Sequence, residues 1–331
     1  MLLLSMIPSA VAAAGPSAEA QARAAHRAAV LAYWTPARVR SAVPRDFTFD
    51  AVRGFQPAAK PGTGGATGTT SGASWAGSDD VFRGTGKVLF TMDRSNYVCS
   101  GSVVKEGRSD RSVILTAGHC VVENDGTFAT NWLFVPDYDE FATFTCENTR
   151  FGCWVADELY AHKAFATAGG FNDTAVQYDW GFAVVGADGK VNSQLDAAVG
   201  GGFDLVIEAV SSGDTLTALG YPAAQKFNGQ DLVYCRNAIT TDPGTEGATW
   251  SMPCGMTGGS SGGPWGEVAA TVTPAQYTLA NMDLVSLNSY GYQGVKNMYG
   301  PKFNASTQAT LTDAVNGTLG SNTVRTLLPA P

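Results

Sequence analysis

Charged side chains are scarce in this sequence, and basic ones are the scarcer kind. Asp, Glu, Lys and Arg make up 15% of 331 residues, and 21 basic against 29 acidic side chains leave a net charge of −8. A negative chain is repelled by phosphate backbones and by anionic membrane surfaces, so we expect neither nucleic acid nor a membrane as partner. Apolar residues still make up 44% of the chain, which predicts a sizeable core rather than disorder.

Long apolar runs and metal-binding motifs are missing as well. After residue 20 no stretch of about 18 uncharged apolar residues occurs, so the sequence predicts no membrane-spanning helix. The six cysteines include no C-x-x-C pair, and no H-E-x-x-H motif is present, so we expect neither a metal nor another cofactor. An even number of cysteines is typical of exported proteins with disulfides.

The amino terminus has the composition of an export signal. Residues 2–14 are apolar and end in three alanines, which fit the small pockets of a signal peptidase. We predict a signal peptide over residues 1–20, cleaved after Ala14 or Ala20, and hence a secreted, extracellular protein. A truncated start or a plain apolar helix is the alternative interpretation.

Two further segments precede the main body. Residues 21–56 are predicted to be a removable pro-segment, helical over residues 21–33 because of their alanine content; a disordered tail is the alternative. Residues 57–78 are rich in Gly, Ser, Thr and Pro and bury too little apolar surface to become ordered. They are predicted to be a flexible linker.

The remaining chain consists of short apolar and β-branched runs separated by turn residues. Such runs predict strands, for example over residues 87–92, 113–116 and 180–185. The 39 glycines and 15 prolines supply the turns between them. We therefore predict an all-β domain over residues 79–321 with a helix at 305–315, followed by a tail at 322–331.

Two motifs carry chemistry. TAGHC (residues 116–120) places a histidine after an apolar run, and GGSSGGP (residues 258–264) surrounds serines with glycines. Glycines allow backbone N–H groups to converge on an oxyanion, and a serine hydroxyl needs an imidazole to accept its proton. His119 is the candidate base, because His26 lies in the predicted pro-segment and His162 is expected at the surface.

These motifs resemble those of the trypsin-like serine proteases of the chymotrypsin fold. The resemblance covers residues from about 85 to 305, in the family's order, through CSGSV (99–103), TAGHC (116–120), DWGFAV (179–184), GSSGGP (259–264) and SYG (289–291). It implies two packed antiparallel six-stranded β-barrels, divided near residue 200, with a short C-terminal helix. Because Ser260 replaces the aspartate that digestive members have there, the chain is most similar to secreted bacterial or fungal enzymes around the glutamyl endopeptidase branch.

The resemblance also implies roles for single residues. His119 would be the general base, Asp179 would orient its ring, and Ser261 would attack the scissile carbonyl. Asp173 is the alternative to Asp179, which is favoured because it leads directly into an apolar run. Ser260 is the alternative to Ser261, which is favoured because it directly precedes Gly-Gly-Pro.

The resemblance further implies a substrate site and a set of disulfides. The N–H groups of Gly259 and Ser261 would form the oxyanion hole. An uncharged pocket for the substrate residue at the cut would be walled by Gly255, Ser289, Tyr290 and Gly291. The implied disulfides are Cys99–Cys120, Cys146–Cys153 and Cys235–Cys254.

We therefore expect a monomeric secreted endopeptidase that hydrolyses peptide bonds in protein or peptide substrates through an acyl-enzyme. Its own pro-segment is the expected inhibitor, acting by blocking the cleft. A catalytically inactive homologue that serves as a binding module is one alternative. A serine esterase is the other, but its fold needs a histidine after the serine and none follows Ser261.

Overall fold

The computed structural model describes residues 17–50, 52–57, 71–139, 143–186, 190, 193–223 and 227–329. These residues form mostly β-structure with few helices, which confirms the predicted all-β class. Apart from residues 17–20, the predicted signal peptide lies outside the described residues.

The helices flank the sheets and are mostly short. In chain order they are α1 Ala18–Tyr33, α2 Pro36–Ser41, α3 Asp79–Gly84, α4 Lys163–Ala166, α5 Asp173–Gln177, α6 Leu195–Val199 and α7 Ala305–Asn316. Both predicted helices are confirmed: α7 matches residues 305–315, and α1 begins three residues before residue 21, where the Ser17 hydroxyl accepts a hydrogen bond from the Ala20 N–H. None of the described helices has the length and apolarity needed to cross a membrane.

The described strands are, in chain order, β1 Val43–Pro44, β2 Phe47–Asp50, β3 Gly54–Pro57, β4 Ala73–Ser74, β5 Thr85–Met92, β6 Ser95–Val104, β7 Ser112–Thr116, β8 Thr130–Pro136, β9 Trp154–Val155, β10 Glu158–His162, β11 Gly181–Val185, β12 Thr215–Gly220, β13 Val233–Ala238, β14 Thr240–Thr241, β15 Thr249–Pro253, β16 Pro264–Glu267, β17 Asp283–Leu287, β18 Tyr290–Tyr292, β19 Asn297–Pro301 and β20 Thr323–Leu327. The runs predicted as strands at 87–92, 113–116 and 180–185 lie in β5, β7 and β11.

Three sheets contain these strands. The first runs β20-β10-β11-β7-β6-β5-β8-β9 with β1 against β6, the second β17-β16-β12-β13-β4, and the third β14-β15-β19-β18-β2-β3. The sheets are curled and almost wholly antiparallel; among the pairs of described strands, β1–β6 and β2–β18 are parallel. The predicted two barrels of six strands each are not confirmed, because β1, β9 and β20 enlarge the first sheet to nine strands and it stays open.

Apolar side chains fill two main cores. The larger lies against the first sheet and contains Trp132, Trp154 and Trp180, all fully buried. The smaller lies between the other two sheets and contains Trp250 and Trp265. The three predicted disulfides are present, and Cys99–Cys120 joins β6 to the turn after β7. These contacts fix the ends of the strands that carry the site.

Residues 17–50 and 52–57, which precede the predicted linker and which we call the segment, pack against the rest of the fold, which we call the body. This packing is contrary to the alternative of a disordered tail. Val30 of α1 is buried, and the Trp34 indole N–H donates to the Asn131 carbonyl at 2.7 Å. The Arg27 guanidinium pairs with the buried Asp157 carboxylate at 2.5 Å. Residues 17–57 are thus bound to the body through apolar, polar and charged contacts.

The ends of the predicted linker and tail need correction. Residues 58–70 of the linker lie outside the described residues, but β4 pairs with β13 and the Trp75 ring is 4% exposed. An indole buried in this way holds residues 71–78 in the fold. The predicted tail 322–331 contains β20, which pairs with β10 along five residues.

Candidate active site

The fold places His119 and Asp179 side by side. β7 ends at Thr116 and leads into the 3₁₀ turn Gly118–Cys120, which carries His119. β11 pairs antiparallel with β7, with Gly181 opposite Thr116. Since Asp179 comes just before β11 and His119 just after β7, both residues lie at the same end of neighbouring strands.

Asp179 is a fully buried acceptor of three hydrogen bonds. Its Oδ2 lies 2.7 Å from His119 Nδ1 and accepts the Ser289 hydroxyl at 2.5 Å. Its Oδ1 accepts the backbone N–H of His119 at 2.8 Å. Asp173, the alternative carboxylate, instead begins α5 at the surface. The structure therefore brings Asp179 and not Asp173 to the ring.

This arrangement determines which nitrogen of His119 can act as a base. A carboxylate only accepts hydrogen bonds, so Nδ1 carries the ring proton. His119 Nε2 has no hydrogen-bond partner among the described residues, although the ring is buried. Nε2 is thus an acceptor whose lone pair is not engaged.

The serine loop is held close to the His119 turn through β6. The Ser100 N–H donates to the Ser261 carbonyl at 2.7 Å, and the Ser100 hydroxyl donates to the Gly259 carbonyl at 2.9 Å. The neighbouring Cys99 is bonded to Cys120, directly after His119. β6 therefore connects the two predicted catalytic loops, which are far apart in sequence.

Glycine is required at two positions of this loop. Gly259 and Gly262 have φ of +94° and +80°, a region that side chains disfavour. A Cβ on Gly262 would lie 2.2 Å from Thr116 Oγ1, and one on Gly259 would lie 2.8 Å from the Tyr221 carbonyl. The tight turn between these glycines carries Ser261, which is 3% exposed.

A residue that the sequence analysis did not identify occupies this site. Asp46 Oδ1 accepts the Ser261 hydroxyl at 2.8 Å and the Gly259 N–H at 3.3 Å. Burial raises the pKa of Asp46, while the bond from Ser261 and the charge of His119 oppose that rise. Ser261 and Asp46 are 215 positions apart, so no local pattern could have found the contact.

The segment that contains Asp46 crosses the cleft. β1 pairs with β6 on one side, with Val43 opposite Tyr97, and β2 pairs with β18 on the other. Tyr290 and Gly291, predicted to wall the substrate pocket, are the residues that β2 covers. β2 and β3 form a hairpin, so the segment turns back over the same wall.

Aromatic rings of the segment pack against rings of the site. The Phe47 ring stacks on Phe171, with centroids 3.9 Å apart, and meets the His119 ring edge-on at 5.4 Å. The Phe55 ring contacts Tyr290 edge-on at 5.4 Å. The His119 side chain beneath these rings is 1% exposed.

The predicted substrate pocket has a charged residue behind its wall. The hydroxyls of Tyr290 and Tyr292 donate to the buried Asp242 carboxylate at 2.6 and 2.8 Å. Burial and these bonds to Asp242 raise the pKa of both tyrosines. Gly255, the other predicted wall residue, is half-buried just after the disulfide-bonded Cys254.

The prediction of a surface position for His162 is wrong. The residue is 5% exposed, its ring stacks on Tyr178 with centroids 4.3 Å apart, and Nδ1 accepts the Ala164 N–H at the start of α4. Burial lowers its pKa. Its polar sequence neighbours hid a histidine that caps a helix and packs as an aromatic ring.

Comparisons with known proteins place this chain in a family. No protein-family model and no curated protein matches it. Among solved structures, the thermostable serine protease AL20 from an extremophilic microorganism is 33% identical, with 71% of this chain and 98% of AL20 covered and a TM-score of 0.58. Protease Anisep from Arthrobacter nicotinovorans is 36% identical, with 72% and 98% covered and a TM-score of 0.58.

A Glu endopeptidase shares the fold at lower identity. It is 19% identical, with 74% of this chain and 97% of the endopeptidase covered and a TM-score of 0.53. The identity to AL20 and Anisep, which extends over nearly the whole length of both enzymes, is high enough to assign the family. The chain belongs to the trypsin-like serine proteases of the chymotrypsin fold and is a serine-type endopeptidase.

Proposed function

We propose that this protein is a secreted, monomeric endopeptidase that cleaves peptide bonds through an acyl-enzyme on Ser261, and that residues 17–57 keep it inactive until they are removed. The site would lie in the cleft between two β-barrels, with His119 and Asp179 on the first and Ser261 on the second. One observation carries the proposal: the Asp46 carboxylate accepts hydrogen bonds from both Ser261 and the Gly259 N–H. A carboxyl oxygen of the segment therefore contacts both groups that the proposed reaction uses.

The chemistry follows from the groups around that anion. With Asp46 gone, the Ser261 oxygen attacks the scissile carbonyl and its proton passes to His119 Nε2. The N–H groups of Gly259 and Ser261 stabilise the negative oxygen of the tetrahedral intermediate. Its collapse breaks the C–N bond, Nε2 gives the proton to the leaving amine, and an ester on Ser261 remains. Water, deprotonated by Nε2, then hydrolyses the ester and restores the hydroxyl.

Asp179 has a supporting role in both steps. Its carboxylate holds the Nδ1–H tautomer, which keeps Nε2 a proton acceptor. When Nε2 takes a proton, the ring becomes cationic next to a fully buried negative charge. The bonds from Ser289 and from the His119 N–H hold that charge in place.

The proposed inactivity of the precursor follows from the group that the segment presents to Ser261. Asp46 offers a side-chain carboxylate, whose negative charge and resonance make it a poor electrophile. The backbone is held on both sides of this contact, because β1 pairs in parallel with β6 and β2 pairs in parallel with β18. The segment can therefore fill the cleft without being cleaved. Cleavage within residues 58–70 would free it to leave.

A serine-reactive fluorophosphonate probe tests this proposal. The full-length chain is labelled before and after a metalloprotease has cut it between residues 57 and 71 and a chelator has stopped that protease. We expect slow labelling of the intact chain, rapid labelling of the cut chain, and none for Ser261→Ala. Ser260→Ala, which removes the neighbouring hydroxyl, is the matched control and should retain labelling.

Two results would contradict the proposal. Labelling that survives Ser261→Ala would exclude this serine as nucleophile. A cut chain that neither reacts with the probe nor cleaves any peptide of a mixed library would support the inactive binding module instead.

A further inference from the structure

Arg45 of the segment lies in a site that has the features of a guanidinium-binding site. Its Nε–H donates to the His119 carbonyl at 2.9 Å, and its terminal nitrogen pairs with Glu123 Oε2 at 2.5 Å. The guanidinium carbon lies 5.1 Å from the centre of the Tyr97 ring. A carboxylate, a carbonyl and an aromatic face are the three groups that bind arginine well. We call Glu123, the His119 carbonyl and Tyr97 the Arg45 seat.

The Arg45 seat belongs to the protease body and remains when the segment leaves. Glu123 is largely buried, with 19% of its side chain exposed, and burial raises its pKa. Asp93 and Asp125 line the same cleft as Glu123, together with residues of the segment. The charges of Asp93 and Asp125 raise that pKa further, whereas Arg45 lowers it. Loss of Arg45 therefore leaves a half-enclosed carboxylate that lacks its cation next to two others.

The position of the Arg45 seat relative to Ser261 indicates which part of a substrate would reach it. Tyr290 and Gly291 pair with the residues after Asp46, on the side proposed for the acyl part of the substrate. Arg45 precedes Asp46, and its N–H donates to the Val98 carbonyl on β6. The Arg45 seat thus lies on the opposite side, where the leaving peptide would be.

From these contacts we infer that the released enzyme binds an arginine side chain of its substrate in the Arg45 seat, within two residues of the scissile bond on the leaving-group side. This inference rests on the proposed function. Glu123 would then determine specificity by a charge-assisted hydrogen bond that substrates without a cation cannot form. The same groups bind the segment and the substrate, so release of one makes room for the other.

Peptide pairs that differ in one charge test the inference. The metalloprotease-cut enzyme is given a peptide from a mixed library that it cleaves, with arginine or citrulline placed at the first or the second position after the cleaved bond. Citrulline has the shape of arginine without its charge. We expect kcat/KM to be about tenfold higher for arginine at one of the two positions, which is the scale of one hydrogen bond to a charged group.

Glu123→Gln should bring the arginine-to-citrulline ratio close to one while citrulline peptides are still cleaved. Glu147→Gln, on an exposed loop, is the matched control and should keep the full ratio. Added salt should lower the ratio of the unaltered enzyme, because salt screens the attraction between the arginine and Glu123.

The outcomes separate this inference from the proposed function. Cleavage with equal kcat/KM for both peptides at both positions would mean that the Arg45 seat binds the segment only, and would overturn the inference. A preference that persists in Glu123→Gln would overturn the role of Glu123. Failure to cleave any peptide would instead contradict the proposed function.

Discussion

At the level of single residues, the reactivity of Ser261 depends on which acceptor takes its hydrogen bond. In the proposed mechanism His119 Nε2 is that acceptor, but the Ser261 hydroxyl is directed at Asp46. Removal of this acceptor should therefore raise the reactivity of the intact chain. We expect Asp46→Ala in the full-length protein to react with a fluorophosphonate probe several times faster than the unaltered chain. Arg40→Ala, an exposed change in α2, should have no effect; an unchanged rate for Asp46→Ala would contradict the blocking role.

The raised pKa of Asp46 makes the closed state sensitive to pH. Burial favours the protonated carboxyl, so closure is most favourable below the ordinary pKa of an aspartate and loses stability as pH rises through the raised value. Asp46→Asn stays neutral and keeps an oxygen as acceptor. We expect Asp46→Asn to be labelled more slowly than the unaltered chain at neutral pH, and at the same rate near pH 4. The ratio of the two rates cancels the titration of groups that both proteins share. A ratio that does not vary with pH would exclude a titrating Asp46.

Ser289 was predicted only as a wall of the substrate pocket, and its hydroxyl also donates to Asp179 at 2.5 Å. Loss of this bond removes one of the three donors to a buried carboxylate. We expect Ser289→Ala to lower kcat of the cut enzyme about tenfold, compared with roughly four orders of magnitude or more for His119→Ala. Steady-state kinetics on one peptide measures both. A drop confined to KM would mean that Ser289 acts through the pocket wall alone.

At the level of secondary-structure elements, α1 anchors the segment to the body. Arg27 pairs with Asp157, whose carboxylate is 3% exposed, whereas Arg23 is half-exposed and lies 3.8 Å from the same group. Arg27→Ala leaves a buried charge without its main partner and should cost about 2 kcal/mol of stability. We expect the melting temperature of the full-length chain to fall by several degrees in calorimetry. Arg23→Ala is the matched control and should shift it by about one degree or less; equal shifts would contradict the anchoring role.

The elements that the sequence predicts are those whose pattern is local. β5, β7 and β11 are apolar runs, and α7 is a polar stretch capped by Asn304, so each can be identified from neighbouring residues. β2 could not be identified in this way, because it pairs with β18 and the two are more than 240 residues apart. Its Phe47 becomes interpretable only once Phe171 and the His119 ring are known to face it.

For the whole molecule, the distinction between local patterns and long-range contacts also decides which features of the site could be predicted from the sequence. His119, Asp179 and Ser261 lie in motifs whose glycines and apolar neighbours are visible in the sequence, and the structure brings His119 and Asp179 into contact. The contents of the cleft were not predictable in detail. A blocking pro-segment was expected, but the contact of Asp46 with Ser261 depends on how residues 17–57 pack against the entire body.

Covalent attachment of that segment should determine how the whole molecule is regulated. If the proposed function holds, the segment is a tethered inhibitor while residues 58–70 are intact, and its effective concentration then depends on the length of that tether and not on how dilute the protein is. Once the linker is cut, inhibition becomes bimolecular and follows mass action. We therefore expect the specific activity of the cut chain to rise on dilution and to fall when a peptide of residues 17–57 is added. The intact chain should keep a constant low specific activity at every concentration.

Two other outcomes have different meanings. In the first, the cut chain stays inactive at high dilution, but its Ser261 reacts with the probe once the segment has been removed without denaturant. That result would show that the segment dissociates too slowly for mass action. A cut chain that is fully active at every concentration would contradict inhibition by the segment.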